Sequence, residues 1–305
     1  MTLVDLVVSV AARLKSAGVS FGHGTTNAFD EAAWLVTWAL GLPLDALETQ
    51  GKRAVGAGDE AKVDAVVARR IETRKPTAYL TGEAWLQDIA FTIDERAIVP
   101  RSYIAELLVD VEESGTLDAW LSERTRRVLD LCTGNGSLAV IAAMVYPEVV
   151  VDAADLSADA LAIARINVER HRLAGRITVV QSDLFAGLAG ARYDLIVSNP
   201  PYVPAADVPQ LPREYAHEPA LGLASGHDGL DIPLRILRDA PAHLNEGGLL
   251  ILEVGDSEQA LAELLPQVPF AWVEFKVGQM GVFVLDRESL VEHHDAFARE
   301  AAKRP

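Results

Sequence analysis

Val128-Leu129-Asp130-Leu131-Cys132-Thr133-Gly134-Asn135-Gly136-Ser137-Leu138-Ala139 is a short apolar run that passes into two closely spaced glycines and then into an apolar helical pattern. The glycines let the backbone turn sharply and approach a ligand closely, as at the nucleotide-binding crossover of open α/β sheets. A tight strand-to-helix turn with no ligand would use the same two glycines. Asp155 favours the ligand reading. It ends the next apolar run, 19 positions after Gly136, near the offset of about 20 residues at which an acid accepts hydrogen bonds from ribose hydroxyls.

Downstream of this loop, strand and helix patterns alternate. Val128–Leu131, Val149–Ala154, Ile177–Val180, Tyr193–Ser198, Gly248–Val254, Trp272–Lys276 and Gly281–Leu285 read as strands, with helices from Ser137 and over Ala158–His171. Such alternation predicts a seven-strand, mostly parallel α/β sheet wrapped on both faces. The last two strands, joined at Gly278, read as a hairpin, so the final strand is expected to be antiparallel. Upstream, Leu3, Leu6, Val7, Val10 and Leu14 recur at helical spacing, Asp30 is a candidate cap for a helix over Glu31–Leu40, and Asp59–Thr73 reads as a helix that stops before Pro76. Between the two regions Ile89, Phe91 and Ile93 alternate with polar neighbours, and Gln87-Asp88 offers the turn of a β-hairpin. Pro100 ends that hairpin, and helical spacing resumes over Ile104–Val111. At 305 residues the chain has room for a large and a small domain, since domains typically run to about 100–200 residues.

Two further groups of residues fall at the carboxyl edge of this sheet, where open α/β folds bind ligands. Ser182-Asp183-Leu184-Phe185 brings a second carboxylate, suited to an adenine amino group or, alternatively, to capping a helix. Asn199-Pro200-Pro201-Tyr202 follows the strand Tyr193–Ser198. Its two prolines stiffen the backbone and remove two N–H donors, which makes an acceptor-rich pocket. The Asn199 side-chain oxygen and the Pro200 carbonyl are placed to accept the two hydrogens of a planar NH₂ group, with Tyr202 as an apolar wall. An amide or aromatic amine is a poor nucleophile because its lone pair is delocalised. Gripping both hydrogens aligns the nitrogen and favours the positive charge that grows on it as a methyl group arrives. The motif alone leaves glutamine, adenine and cytosine open as acceptors.

Composition narrows the classes. Half of the residues are apolar, enough to bury a sizeable core. The net charge of −17 repels nucleic-acid phosphates at long range, disfavours a general nucleic-acid binder and suits a basic protein partner, although acidity also serves solubility. Cys132 is the single cysteine, so no intrachain disulfide and no cysteine-built metal site is expected, in keeping with a reducing, cytoplasmic location. No signal peptide or membrane span is read: the most apolar stretch, Leu138–Val151, is broken by Pro147 and Glu148.

The pattern resembles the HemK-like protein-(glutamine-N5) methyltransferases across nearly the whole chain. The resemblance rests on the helical N-terminal region, Ala78-Tyr79-Leu80-Thr81-Gly82, Val99-Pro100-Arg101-Ser102, the Asp-Leu-Cys-Thr-Gly loop and Asn199-Pro200-Pro201-Tyr202. Gly22-His23-Gly24-Thr25-Thr26-Asn27-Ala28, the Pro-Arg-Ser at 100–102, and the segments Leu211–Ala224 and Gly226–Asp231 look like the branch acting on the third protein of the large ribosomal subunit rather than on peptide-chain release factors. Tyr103 departs from the proline expected there.

The resemblance implies a Rossmann-like class I methyltransferase domain over 101–305, preceded by a helical substrate-recognition domain over 1–78 and a hairpin linker over 79–100. It implies S-adenosyl-L-methionine as donor, leaving S-adenosyl-L-homocysteine. Cofactor contacts fall to Asp130, Cys132, Thr133, Gly134, Asn135, Gly136, Asp155, Asp183, Leu184 and Asn199. Catalysis falls to Asn199, Pro200 and Tyr202, and substrate binding to these with Pro201, Arg101 and Ser102. The expected partner is a large-subunit ribosomal protein, free or in an assembly intermediate, with no membrane and no dedicated nucleic-acid module. Other readings are a release-factor glutamine, a nucleic-acid base, or a non-catalytic ribosome-assembly factor. His217 and Glu218 are candidates for a substrate channel or for a purely structural loop, and His293 and His294 are expected to be solvated on a charged C-terminal helix.

Overall fold

The apolar spacing at the N-terminus forms the helix it predicts. In the computed structural model, which describes residues 1–109, 125–276 and 278–304, α1 (Leu3–Ser16) buries Leu3, Leu6, Val7, Val10 and Leu14. Thr2 and Asp5 cap it reciprocally, each side chain accepting from the other's backbone N–H. α2 (Ala28–Ala39) begins earlier than expected. Asn27, not Asp30, is the cap: its side-chain oxygen accepts from Phe29 and Asp30 N–H, and Asp30 lies in the first turn, where its charge suits the positive end of the helix. α3 (Ala46–Gln50) is short. α4 (Ala57–Thr73) closes at Arg74 in a left-handed conformation just before Lys75-Pro76, and α5 (Thr77–Thr81) follows.

The hairpin β1 (Glu83–Leu86) and β2 (Ile89–Thr92) turns at Gln87-Asp88, both with positive φ as a two-residue turn of this hand requires. It is fastened to the helix Ala158–Arg170. The Asn167 amide accepts from Thr92 N–H at 2.7 Å and donates to Thr92 carbonyl at 3.0 Å. α6 (Tyr103–Val109) covers the start of the expected Ile104–Val111 helix, whose end lies outside the described residues.

The large sheet comprises β3 (Arg127–Leu131), β4 (Val150–Asp155), β5 (Ile177–Gln181), β6 (Tyr193–Ser198), β7 (Leu244–Glu253), β8 (Ala271–Phe275) and β9 (Gly278–Asp286). Their order is β5-β4-β3-β6-β7-β9-β8, parallel except for β9, which runs against both β7 and β8. α7 (Ser137–Val145) and α8 (Ala158–Arg170) pack on one face with α6. On the other lie α9 (Asp231–His243), α10 (Glu258–Leu264), α11 (Arg287–Glu292) and α12 (His294–Ala301).

α12 is amphipathic. It buries Ala296, Phe297 and Ala301 and packs on α9, with His294 on its exposed side and His293 at the α11–α12 junction. The chain order reverses beside β3, opening a crevice at the carboxyl ends of β3, β4 and β6. The register places Leu131 opposite both Ala154 and Ser198, so Cys132, Asp155 and Asn199 emerge side by side.

Candidate active site

The loop after β3 is shaped by a carboxylate beneath it. Asp130 is fully buried and accepts from the Thr133 hydroxyl and from Ala139 N–H at 2.9 Å, tying the strand end to the start of α7. Burial pushes its carboxyl up to about 7, against the pull of those two donors. Asp130 therefore sits behind the cavity wall. Thr133, Asn135 and Gly136 also lie outside the lining, whereas Cys132 and Gly134 face the cavity. At Gly136, φ is +81° and a Cβ would stand 3.1 Å from the Ala164 side chain, so glycine is what lets α8 approach.

Asp155 meets the loop from β4. Its two oxygens accept from Gly134 N–H at 2.9 Å and Ser157 N–H at 2.8 Å, which holds the carboxylate at the cavity rim with lone pairs to spare. Burial raises its pKa, and the backbone donors oppose the rise. Asp183 and Leu184 line the same cavity. Asp183 caps no helix; it is half exposed and paired with Arg235 of α9 at 2.9 Å. The local turn is held by Ser182, whose hydroxyl accepts from Gly187 N–H and donates to the Leu184 carbonyl. Leu156 and Ile232 add apolar wall, and Ile98 and Leu221 form a rim from two other segments. Arg235 had no sequence signal of its own, and the 219–224 rim was marked only as part of the Leu211–Ala224 resemblance.

At the reacting end, Asn199 and Pro201 border the cavity, while Tyr202 borders a second cleft with Tyr103, Glu253 and Met280. Asn199 Nδ2 donates to the Arg101 carbonyl at 2.9 Å. A carbonyl can only accept, so this bond fixes which end of the amide is the oxygen and leaves Oδ1 free to accept. Burial raises the Tyr202 pKa, keeping the phenol neutral. The Tyr202 carbonyl accepts from Ser257 Oγ at 2.9 Å, and Gly255 runs so close beneath the ring that a Cβ there would stand 2.6 Å from it.

Arg101 and Ser102 lie at this end and do not line the cavity. Glu218 is buried and accepts from both Arg101 Nη1 and Nη2 at 2.6 Å and from Val99 N–H at 2.9 Å. Glu253 is buried too, accepting from Ser102 Oγ at 2.6 Å and Tyr103 N–H at 3.1 Å; burial pushes its carboxyl up to about 7 despite them. His23 stands 3.8 Å from Glu218 and edge-on to Tyr215, over whose ring the Arg101 guanidinium lies; burial lowers the His23 pKa to about 4, so the ring is neutral. Of the two loop candidates, Glu218 thus grips Arg101 and His217 bonds the Thr73 carbonyl at 2.9 Å, neither lining the cavity beside the glycine loop.

The loop is braced by the helical region. Fully buried Arg70 of α4 donates to Glu31 at 2.7 Å, to Glu214 at 3.1 Å and to the Ser20 carbonyl at 3.0 Å. Among the described residues, His227, Asp228 and Asp231 form a group of metal-ligand type, but Arg304 already bonds both carboxylates.

Two family models match the sequence: a methyltransferase small domain over residues 111–212 and a PrmC N-terminal domain over residues 5–82. The ribosomal protein uL3 glutamine methyltransferase of Xylella fastidiosa (strain 9a5c) is 52% identical over 304 residues, covering 99% of this chain and 96% of that protein. Its counterpart in Xanthomonas campestris pv. campestris is 49% identical, covering 99% and 97%. That of Neisseria meningitidis serogroup B is 46% identical, covering 95% and 94%. Among solved structures, the hMettl16 catalytic domain in complex with a MAT2A 3′UTR hairpin aligns with a TM-score of 0.50 at 17% identity, over 75% of this chain and 81% of that one. This last likeness is one of fold.

Proposed function

The chain belongs to the ribosomal protein uL3 glutamine methyltransferase family, and from that premise we propose that it methylates the side-chain amide nitrogen of a glutamine in the third protein of the large ribosomal subunit, with S-adenosylmethionine as donor. The crevice suits a charged nucleoside donor. Asp155 keeps free lone pairs for ribose hydroxyls beside the glycine loop, Leu156 and Leu184 offer apolar walls for a base, and Asp183 an acceptor for its amino group. When bound, S-adenosylmethionine supplies an electrophilic methyl group on a sulfonium centre.

The observation that carries the reading is the Asn199–Arg101 hydrogen bond. It spends the Asn199 donor on the protein itself and presents Oδ1 as an acceptor at the cavity edge. The Pro200 carbonyl, with no N–H of its own residue to compete, is the second acceptor. Together they hold both hydrogens of a carboxamide NH₂, fix its nitrogen in line for displacement, and favour the charge that develops on it. No side chain need remove a proton before transfer, because the ammonium-like nitrogen is acidic afterwards. The neutral Tyr202 ring packs against the planar amide as a wall.

The reading assigns residues 1–78 to substrate recognition, 79–100 to the hairpin linker and 101–305 to methyl transfer, and it carries a cytoplasmic location with it. Among the described residues no helix is long and apolar enough to cross a membrane. Incubation with radiolabelled S-adenosylmethionine and a mixture of ribosomal protein, ribosomal RNA and release factors, followed by mass spectrometry, is expected to put one methyl group on a glutamine of that ribosomal protein, with loss of labelling in Asn199→Ala. Label confined to nucleic acid or to a release factor would overturn the substrate assignment.

A further inference from the structure

The backbone between Val99 and Tyr103 is gripped from both ends by buried carboxylates on separate elements. Glu218, in the loop after the Asn-Pro-Pro-Tyr turn, takes Val99 N–H and the Arg101 guanidinium. Glu253, at the carboxyl end of β7, takes Ser102 Oγ and Tyr103 N–H. The carbonyl they bracket is that of Arg101, which holds Asn199. Glu253 also directly follows Leu252, the register partner of Ser198, so it emerges beside Asn199 on the neighbouring strand.

We propose that Glu253 and Glu218 are positioning residues for methyl transfer, clamping residues 99–103 so that the Arg101 carbonyl fixes the Asn199 amide with Oδ1 toward the acceptor nitrogen. The inference rests on the amide-gripping role given to Asn199 above. Without the clamp, the Arg101–Ser102 peptide is free to rotate and the Asn199 side chain to turn its NH₂ group toward the substrate, where it would repel the very hydrogens it has to bind. Stability alone is a poor reason for this arrangement. Burying a carboxylate is costly unless it is fully partnered, and an apolar pair of similar volume is often at least as stable. Here both carboxylates converge on one short segment whose central carbonyl contacts the reacting-site asparagine. Neither acts on the acceptor directly in this scheme; each acts through the 99–103 backbone.

The test uses the full-length protein with its ribosomal-protein substrate and compares Glu253→Ala, Glu253→Gln, Ser102→Ala and the double variant Ser102→Ala/Glu253→Ala. Misplacement by about an ångström costs as much as a hundredfold in rate. Glu253→Ala is therefore expected to lower kcat by roughly ten- to a hundredfold, with cofactor Kd changed by no more than about twofold. Glu253→Gln, which keeps an acceptor oxygen, should recover most of the rate. Ser102→Ala should lose a smaller part of kcat, measured at a temperature where it and the wild type are both folded, and the double variant should lose less than the product of the single losses, because both act through one contact.

A wild-type kcat in Glu253→Ala, equal losses in the Ala and Gln variants, or multiplicative losses in the double variant would overturn the proposal. Should Glu253→Ala fail to fold, Ser102→Ala decides: undiminished kcat there counts against the clamp. The wild type runs alongside. If it labels no glutamine, the substrate reading fails by itself, and the same ratios are taken on whichever acceptor it does label.

Discussion

Asn199 Nδ2 and the backbone carbonyl of Arg101 meet at 2.9 Å across 98 residues of chain. This contact makes an otherwise symmetric-looking side chain directional, and it separates Asn199 from its isostere. In Asn199→Asp no donor remains for the carbonyl, and a negative oxygen faces it instead. Methyl transfer is expected to fall by roughly 10²–10³-fold, the scale for loss of one preorganised polar contact at a reacting centre. Calorimetry should find donor affinity within a few-fold of wild type. Near-normal single-turnover rates in Asn199→Asp would sink the orientation argument.

A second prediction concerns the aromatic wall. Gly255 has φ +48°, and a Cβ there would stand 2.6 Å from the Tyr202 ring and 3.1 Å from its Cδ2. The backbone around Gly255 is also pinned, since its own atoms lie under Gly281. In Gly255→Ala the ring has to move, at an overpacking cost of about 1–3 kcal/mol. The expected outcome is a lowered melting temperature together with a kcat loss larger than any change in donor affinity. Unchanged kcat would mean that Tyr202 is no wall to the substrate amide.

The parts of this site that were legible in the sequence are those built from neighbours in the chain. The glycine loop from Cys132 to Gly136, Asp155 at its offset and Asn199 after β6 announce themselves by local spacing, because the parallel sheet brings successive strand ends to one edge. What was missed lies elsewhere in sequence. Arg235 looks like an ordinary surface charge until the fold pairs it, and Glu218, a loop candidate in the sequence, shows its grip on Arg101 only once the fold buries it. Glu253 did leave a trace: it is a charged residue ending the uninterrupted apolar run Leu249–Leu252, at the edge where ligands bind. α9 escaped notice because Pro233 and Pro241 interrupt its pattern. Asp30 reads as a candidate cap of α2 because it and Asn27 are both good capping residues, and only the backbone turn distinguishes them.

The buried carboxyls predict how stability varies with pH. Glu253 is pushed from an ordinary 4.5 up to about 7 by burial, with Arg101 and the Ser102, Tyr103 and Ile104 donors pulling the other way. Its folded form therefore holds a proton that the unfolded chain has released between those two values. Stability from this group is greatest below pH 4.5, declines as pH rises toward 7, and is level beyond. Glu253→Gln cannot titrate. Urea unfolding from pH 5 to pH 8 should show the variant gaining on the wild type up to about pH 7, at a slope no steeper than about 1.4 kcal/mol per unit. A constant difference across that range would place the ordinary carboxyl pKa in the folded protein.

The last prediction concerns the joint between the helical region and the catalytic loop. Arg70 is fully buried, and its guanidinium bridges Glu31 of α2 and Glu214 of the loop that continues to Glu218. Arg70→Met keeps much of the side-chain volume and removes the charge, stranding two carboxylates that are only 2% exposed. Breaking a buried pair in this way destabilises by about 3–5 kcal/mol. Part of the cost falls on the loop, because Glu214 also accepts from Ser20 N–H and stands 3.6 Å from Arg74, both contacts that hold residues 213–218 against the helical region. A variant that removes all three charges together, Arg70→Met/Glu31→Gln/Glu214→Gln, should recover much of the stability. If the loop positions Arg101 through Glu218, the triple variant should still transfer methyl groups more slowly than the wild type at a temperature where both are folded. Equal rates at that temperature would confine the Arg70 cluster to stability and detach the helical region from the chemistry.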